Sequence, residues 1–285
     1  MGNIEKINWY PGHMKKTREM IRDNLKAVDL VVEIIDSRIP VSSRNPIIDD
    51  LISGKRRIVI LGKFDLADEE ETRNWQEQIR ASKDVVKVMA LNLQLGDNIK
   101  LLIKALDAEQ HIRDVNKSIK RPLRLMIVGV PNVGKSSLIN RLTGRKSAQT
   151  GDRPGVTKGK QWLTLENGMQ LLDTPGVLWP KFEDNNVGLK LAFCGSIRDD
   201  ILDVQELGFE LIKVLGNTYP DLLLERYKLD YISEDALENM DNIAIKRGFI
   251  LPGKRIDYER TARIVLDEFR SGKIGRITLE KARTL

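Results

Sequence analysis

The sequence holds one cysteine, Cys194, and two histidines, His13 and His111, in 285 residues. A single thiol cannot close an internal disulfide, and no Cys/His cluster has zinc-ligand spacing. Cys194 reads as a small core residue and fits a reducing compartment. Aromatic residues make up only 5% of the chain, so the core must be built mostly from aliphatic side chains. Long apolar runs are also lacking. The longest, such as Leu30 to Ile35 (interrupted only by Glu33) and Ile58 to Leu61, suit buried strands and fall far short of a membrane span. No apolar stretch accompanies Glu5, Lys6 and Asn8, so a signal peptide is not expected and a cytoplasmic location is.

Charge is present and unevenly placed. The formal net charge is +6. From Lys246 to Leu285 eleven basic residues face five acidic ones, so the last forty residues carry the whole excess. A second basic stretch, Arg141 to Lys160, has six cations against Asp152 alone. Both stretches are candidates for neutralising backbone phosphates of a nucleic acid, with a solvated helix face as the alternative.

The first two thirds alternate strand-like and helix-like segments. Strands are expected at 29–36, 57–61, 85–91 and 123–130, with helices at 69–82, 99–115 and 135–142. The runs 160–165 and 169–172, joined through Asn167-Gly168, predict a hairpin. Strands alternating with helices imply an α/β fold with a mainly parallel sheet and helices on both faces. After about Gly188 the pattern turns helical, with helices expected at 203–215, 220–227, 234–247 and 257–271. Residues 1–190 therefore read as the α/β domain with an N-terminal helical segment. Residues 191–285 read as a smaller all-helical domain.

The chemistry-bearing motif is Gly129-Val-Pro-Asn132-Val133-Gly134-Lys135-Ser136-Ser137. It matches G-x-x-x-x-G-K-[ST], follows an apolar strand and opens a helix. Glycines let backbone N–H groups turn inward around a phosphate chain, and the helix start adds its positive end. Lys135 would reach the β- and γ-phosphates, and the Ser136 hydroxyl would hold Mg²⁺. Downstream, Asp173-Thr-Pro-Gly176 ends a strand, as a D-x-x-G element should. Asp173 would bind Mg²⁺ through water, and the Gly176 N–H would sense the γ-phosphate. Between them, Thr157 in Gly151-Asp-Arg-Pro-Gly-Val-Thr157 is the candidate switch threonine closing on Mg²⁺.

No N-K-x-D element follows the phosphate loop. Upstream of it, Gly62-Lys63-Phe64-Asp65 matches all but the first position, at the end of a strand. Asp65 would accept both N1–H and N2–H of guanine, which adenine cannot offer, and the stem of Lys63 would pack along the base. Asn92-Leu93, after another strand, would add backbone contacts to guanine O6. The order is base motif, backing loop, phosphate loop, switch threonine, D-x-x-G. That is a circular permutation, with 106–121 joining the old ends, and it leads from the second switch straight into the helical domain.

On these residues the chain resembles the ribosome biogenesis GTPase A (YlqF/RbgA) family of circularly permuted GTPases. The resemblance is carried by Trp9-Tyr-Pro-Gly-His13-Met, Asp36-Ser-Arg-Ile-Pro40, Gly62-Lys-Phe-Asp65, the phosphate loop, Gly151 to Thr157 and Asp173 to Pro180. It implies hydrolysis of GTP to GDP, stimulated by the ribosome, and late maturation of the large (50S) subunit. The implied partners are the large-subunit precursor and its rRNA, with the protein monomeric off the ribosome. It also implies that His13 takes part in hydrolysis, because Val177 follows Gly176 where many GTPases have glutamine. Asn132 is expected to help hold K⁺ beside the phosphates. The chain departs from the family at Gly62, where asparagine is usual, and at Ser37, where alanine is usual. Two readings compete: a nucleotide-gated RNA-binding scaffold with little turnover, and a P-loop kinase or ATPase.

Overall fold

The computed structural model describes residues 12–96, 98–116, 120–144, 161–173, 178 and 184–282, with side-chain positions from residue 18 onward except at 116, 161 and 173. Six strands form the central sheet: β1 (Leu30–Asp36), β2 (Arg57–Gly62), β3 (Val85–Leu91), β4 (Arg124–Val128), β5 (Gln161–Thr164) and β6 (Gln170–Asp173). Their spatial order is β3-β2-β1-β4-β6-β5. All neighbours run parallel except β5, which pairs antiparallel with β6 as the expected hairpin. Strand β1 is central and buried at every position, which explains why its sequence is nearly continuous hydrophobic rather than alternating.

A parallel sheet places every strand's C-terminal end at one edge, so the loops that follow those strands converge there. The loops after β2, β3, β4 and β6 are the ones that carry the sequence motifs. Strands β1 and β4 pair directly, Leu30 against Leu125. A β-strand from the first half of the chain thus lies beside the strand that feeds the phosphate loop.

Helices cover the sheet. They are α1 (Gly12–Asn24), α2 (Pro46–Ile52), α3 (Glu69–Arg80), α4 (Ile99–Asn116), α5 (Lys135–Thr143) and α6 (Asn185–Phe193). Helices α2 and α6 were not anticipated from the sequence. Helix α2 has only seven residues, but Asn45 accepts hydrogen bonds from the Ile47 and Ile48 N–H groups, and Pro46 presets the first helical position. Helix α6 is started by Asp184, whose carboxylate accepts from Asn186 N–H. Glu33, in the middle of β1, is matched by a bidentate Arg44 at 3.0 and 2.9 Å and by Arg57 at 3.3 Å.

The C-terminal part consists of α7 (Val204–Thr218), α8 (Pro220–Tyr227), α9 (Ala236–Arg247) and α10 (Tyr258–Arg270). Between α9 and α10 a small antiparallel pair forms, β7 (Ile250–Leu251) and β8 (Arg255–Ile256), turning at Pro252-Gly253. The sequence reading treats that dipeptide only as a separator. Helices α7 and α10 cross at Gly208. A Cβ there would lie 2.6 Å from the Ala262 Cα, so the two backbones touch. One continuous apolar cluster runs from β1 and β4 through α6 to α7 and α10.

Gly208→Ala is expected to force these helices apart and to cost about 1–3 kcal/mol, the usual range for overpacking. The shift in denaturant midpoint at unchanged m-value measures it.

Candidate functional site

The phosphate loop owes its shape to three left-handed positions, Gly129 (φ 155°), Asn132 (φ 61°) and Gly134 (φ 104°). A Cβ at Gly129 would stand 2.5 Å from the Ile34 carbonyl oxygen, so only glycine allows this loop to lie against β1. Lys135 is buried at the start of α5, and its Nζ donates to the Val130 carbonyl oxygen at 2.8 Å. The ammonium is thereby held inside the curve of the loop, with Ser136 and Ser137 in the first helical turn beside it.

The loop after β2 meets this one. Gly62 is the last residue of β2, and a Cβ on it would point at the Val133 carbonyl oxygen at 3.0 Å. Lys63 follows in a left-handed conformation (φ 56°), and Asp65 is exposed within a short 3₁₀ turn, Phe64–Leu66. The loop after β3 closes the third side. A Cβ at Gly134 would lie 2.8 Å from Leu93 Cδ1. Arg141 of α5 donates to the Leu93 carbonyl at 2.8 Å and also to that of Gln94. Asn92 spends its own Oδ1 on the Gln94 and Leu95 N–H groups, at 3.0 and 2.9 Å, which shapes the turn. Lys63, Asp65, Asn92, Leu93, Asn132, Val133, Gly134, Lys135, Ser136 and Ser137 therefore gather at one sheet edge although the chain writes them up to 74 positions apart.

Asp36 anchors the base side. It ends β1, is fully buried and accepts from Arg38 Nε at 3.0 Å, Arg38 Nη2 at 2.8 Å and the Arg38 N–H at 3.1 Å. Lys63 Nζ lies 3.2 Å from Asp36 Oδ2, the oxygen that also accepts from Arg38 Nη2. Burial pushes this carboxyl up, but the Arg38 guanidinium and the Lys63 ammonium outweigh burial and hold it well below the usual carboxylate range. The Ser37 hydroxyl donates to the Gly62 carbonyl at 2.7 Å, tying the same turn to the end of β2. Arg38 in turn stacks over the Phe269 ring of α10, 5.3 Å from its centroid. In the sequence alone, Asp36-Ser-Arg is only a mark of resemblance. Its signal was a charged pair placed directly after an apolar strand.

The phosphate loop is also grasped from the C-terminal side. Asn132 Nδ2 donates to the Gly195 carbonyl at 2.7 Å, and Ser196 Oγ donates to that of Pro131 at 3.0 Å. Arg270 holds the preceding turn through the Ala192 and Phe193 carbonyls and a bidentate pair with Asp199. Cys194 is buried there, and burial pushes its thiol up to about 12. Nothing in the sequence singled out Ser196.

Four expected site residues are not positioned in full. Thr157 and Gly176 lie outside the described residues, as do the side chains of His13 and Asp173. The backbone of His13 belongs to α1, and Asp173 ends β6 beside β4. Among the described residues no group of three or more His, Cys, Asp or Glu forms a ready metal cage. Among the described residues no helix is long and apolar enough to cross a membrane.

A phosphate loop met by a guanine-type loop from earlier in the chain is the geometry of a circularly permuted P-loop GTPase. A family model for 50S ribosome-binding GTPases matches residues 124–223. Ribosome biogenesis GTPase A of Priestia megaterium is 46% identical over 279 residues, which span 96% of each chain. A GDP-bound structure of TM YlqF superposes with a TM-score of 0.68 at 31% identity, covering 92% of this chain and 98% of that one. A GNP-bound structure of YlqF from T. maritima gives 0.64 at 29% identity, covering 95% and 100%. The chain belongs to the ribosome biogenesis GTPase A family.

Asp36→Asn leaves Arg38 buried without its countercharge and is expected to cost about 3–5 kcal/mol at pH 7. A carboxylate held below its ordinary value stabilises fully above that value and less as pH falls through the folded one. The gap between parent and variant should therefore close only below pH 3.8. Urea unfolding at a series of pH values reads both effects.

Proposed function

We propose that this GTPase acts in late assembly of the large ribosomal subunit, binding rRNA and hydrolysing GTP faster when the subunit is present. The observation that carries the nucleotide half is the approach of Gly62 to the Val133 carbonyl, which brings the base loop onto the phosphate loop. Asp65 reads guanine, Lys63 lies along the base, and Asn92 and Leu93 back it. Val133, Gly134, Lys135, Ser136, Ser137 and the Gly176 N–H hold the phosphates. Ser136 and Thr157 would hold Mg²⁺, and Asp173 would reach it through water. The hydroxyl in the first turn of α5 fits that ion, which would neutralise charge developing between the phosphates, while the left-handed glycines turn N–H groups toward the phosphates themselves. Asn132 supplies an amide oxygen toward K⁺. Lys135 and Thr157 assist transfer, and His13 orients the attacking water in place of the missing glutamine.

Residues 1–190 form the nucleotide domain and 191–285 the part that docks on RNA, in the cytoplasm. The basic tail supports this with fewer cations than its sequence count. Arg247 pairs with Glu268, Arg270 with Asp199, and Arg276 with Glu69 and two carbonyls. Lys254, Arg255, Lys273 and Lys281 remain exposed and are the phosphate-facing set. The ribosomal half also draws on what the relatives are named for.

Single-turnover GTP hydrolysis should accelerate on adding purified large subunits. A rate indifferent to subunits would favour the scaffold reading. Gly62→Asn should tighten GDP about two- to tenfold, the worth of one added hydrogen bond, once Val133 yields slightly. Titration with a fluorescent GDP analogue measures it, and unchanged or weaker binding would reject that account of Gly62.

A further inference from the structure

After α10 the chain turns at Gly272 (φ 73°) and Gly275 (φ 145°), leaves the C-terminal helices and runs back along the loops after β1 and β2. This strap, residues 276–282, takes hold of the base loop at consecutive points. Arg276 Nη2 donates to the Phe64 carbonyl at 3.0 Å, and its Nε donates to that of Ala67 at 2.7 Å. The Ile277 N–H donates to the Leu66 carbonyl at 3.0 Å. The Asp68 N–H donates to Thr278 Oγ1 at 3.1 Å. Asp65 stands in the middle of this row, and its neighbours on both sides are fixed by the strap.

The strap is itself held to the loop after β1. Thr278 Oγ1 donates to the Ser37 carbonyl at 3.3 Å, and the Leu279 N–H donates to that of Arg38 at 2.7 Å. Glu280 is buried and accepts from the Val41 and Ser42 N–H groups at 2.6 and 3.0 Å and from Lys190 at 3.1 Å. Trp75 of α3 closes the far side by donating to the Glu280 carbonyl at 2.7 Å. Apart from the strap, the base loop is held by its own 3₁₀ hydrogen bonds, Leu66 N–H to the Lys63 carbonyl at 3.0 Å and Ala67 N–H to that of Phe64 at 3.2 Å, and by Ser37 on the Gly62 carbonyl. Gly62 brings no side chain, and Lys63 is anchored through one ammonium contact.

We infer that Arg276 is a positioning residue for guanine recognition: its guanidinium fixes the carbonyls flanking Asp65 and so sets the carboxylate where it meets both N1–H and N2–H of the base. This role presupposes that Asp65 reads the base, as proposed above. Bidentate recognition is lost when the acceptor moves by a fraction of an ångström, whereas a single contact survives. A shift of the carboxylate therefore costs guanine two contacts and a base without the N2 amine only one.

The test is binding of GDP and of inosine diphosphate, which lacks only the N2 amine, by parent protein, Arg276→Ala, Arg276→Lys, Thr278→Val and Asp65→Asn. Arg276 is half exposed, so its replacement should leave the folded protein intact. Arg276→Ala is expected to weaken GDP about tenfold, the order of a charge-assisted pair of hydrogen bonds, and to lower the GDP-over-inosine ratio toward one. Arg276→Lys, able to reach one carbonyl, should fall between, and Thr278→Val should act in the same direction. Equal weakening of both nucleotides would make Arg276 merely structural and overturn the inference. So would an unchanged ratio in Arg276→Ala while Asp65→Asn collapses it, and in that case the Asp65 reading stands. An unchanged ratio in Asp65→Asn would overturn both.

Discussion

The Asp36 carboxylate is the point on which the rest of the site depends. It ends the central strand, out of water, with the Arg38 guanidinium and the Lys63 ammonium both on its Oδ2. Charges removed from water are tolerable only when each finds a close countercharge. That requirement fixes three things together. The turn after β1 must fold back on itself, the first residue of the base loop must present its ammonium inward, and Phe269 must cover the guanidinium from α10. Loosening one member exposes the others, so the base loop and the helical part are set by the same electrostatic constraint.

A second consequence concerns how the two ends of the molecule feel each other. The phosphate loop is bonded directly to the turn at Gly195 and Ser196, and that turn is held by Arg270 of α10. Arg270 and Phe269 are adjacent, so α10 touches both the phosphate side and the base side within one helical turn. A ligand that redistributes hydrogen bonds at Pro131 or Asn132 acts on carbonyls one step from that helix. Coupling of this kind requires two arrangements of α10 that differ in their contacts. The short path supplies the contact through which such a difference would pass.

Much of this was legible in the sequence. The strands were, because a parallel sheet covered on both faces needs uninterrupted apolar runs, and Leu30 to Ile35 and Ile58 to Leu61 are such runs. The phosphate loop and the Gly62-Lys-Phe-Asp65 element were, because their chemistry demands particular residues at fixed spacing. Helix α2 escaped because seven residues are too few to display a period, although Asn45-Pro46 was a readable start. The β7–β8 pair escaped because two-residue strands have no pattern. The contacts of Ser196 and Arg276 were invisible for a different reason. Each joins segments far apart in the chain, and a serine or an arginine in a polar stretch looks the same whether it faces solvent or another loop. Arg270 and Arg276 were counted with the phosphate-seeking charges, yet their guanidinium groups are spent on protein carbonyls and carboxylates.

The strap also imposes an order in time. Asp68 and the threonine that caps it are separated by 210 residues. At the roughly 5–20 residues per second of ordinary translation, the base loop emerges on the order of ten to forty seconds before its clamp has been made. For the later part of that interval the nascent chain carries the residues of the phosphate loop, 129–137, while the loop after β2 still lacks its clamp. On the proposed role of Arg276, full discrimination of the base arrives only with the final stretch of synthesis.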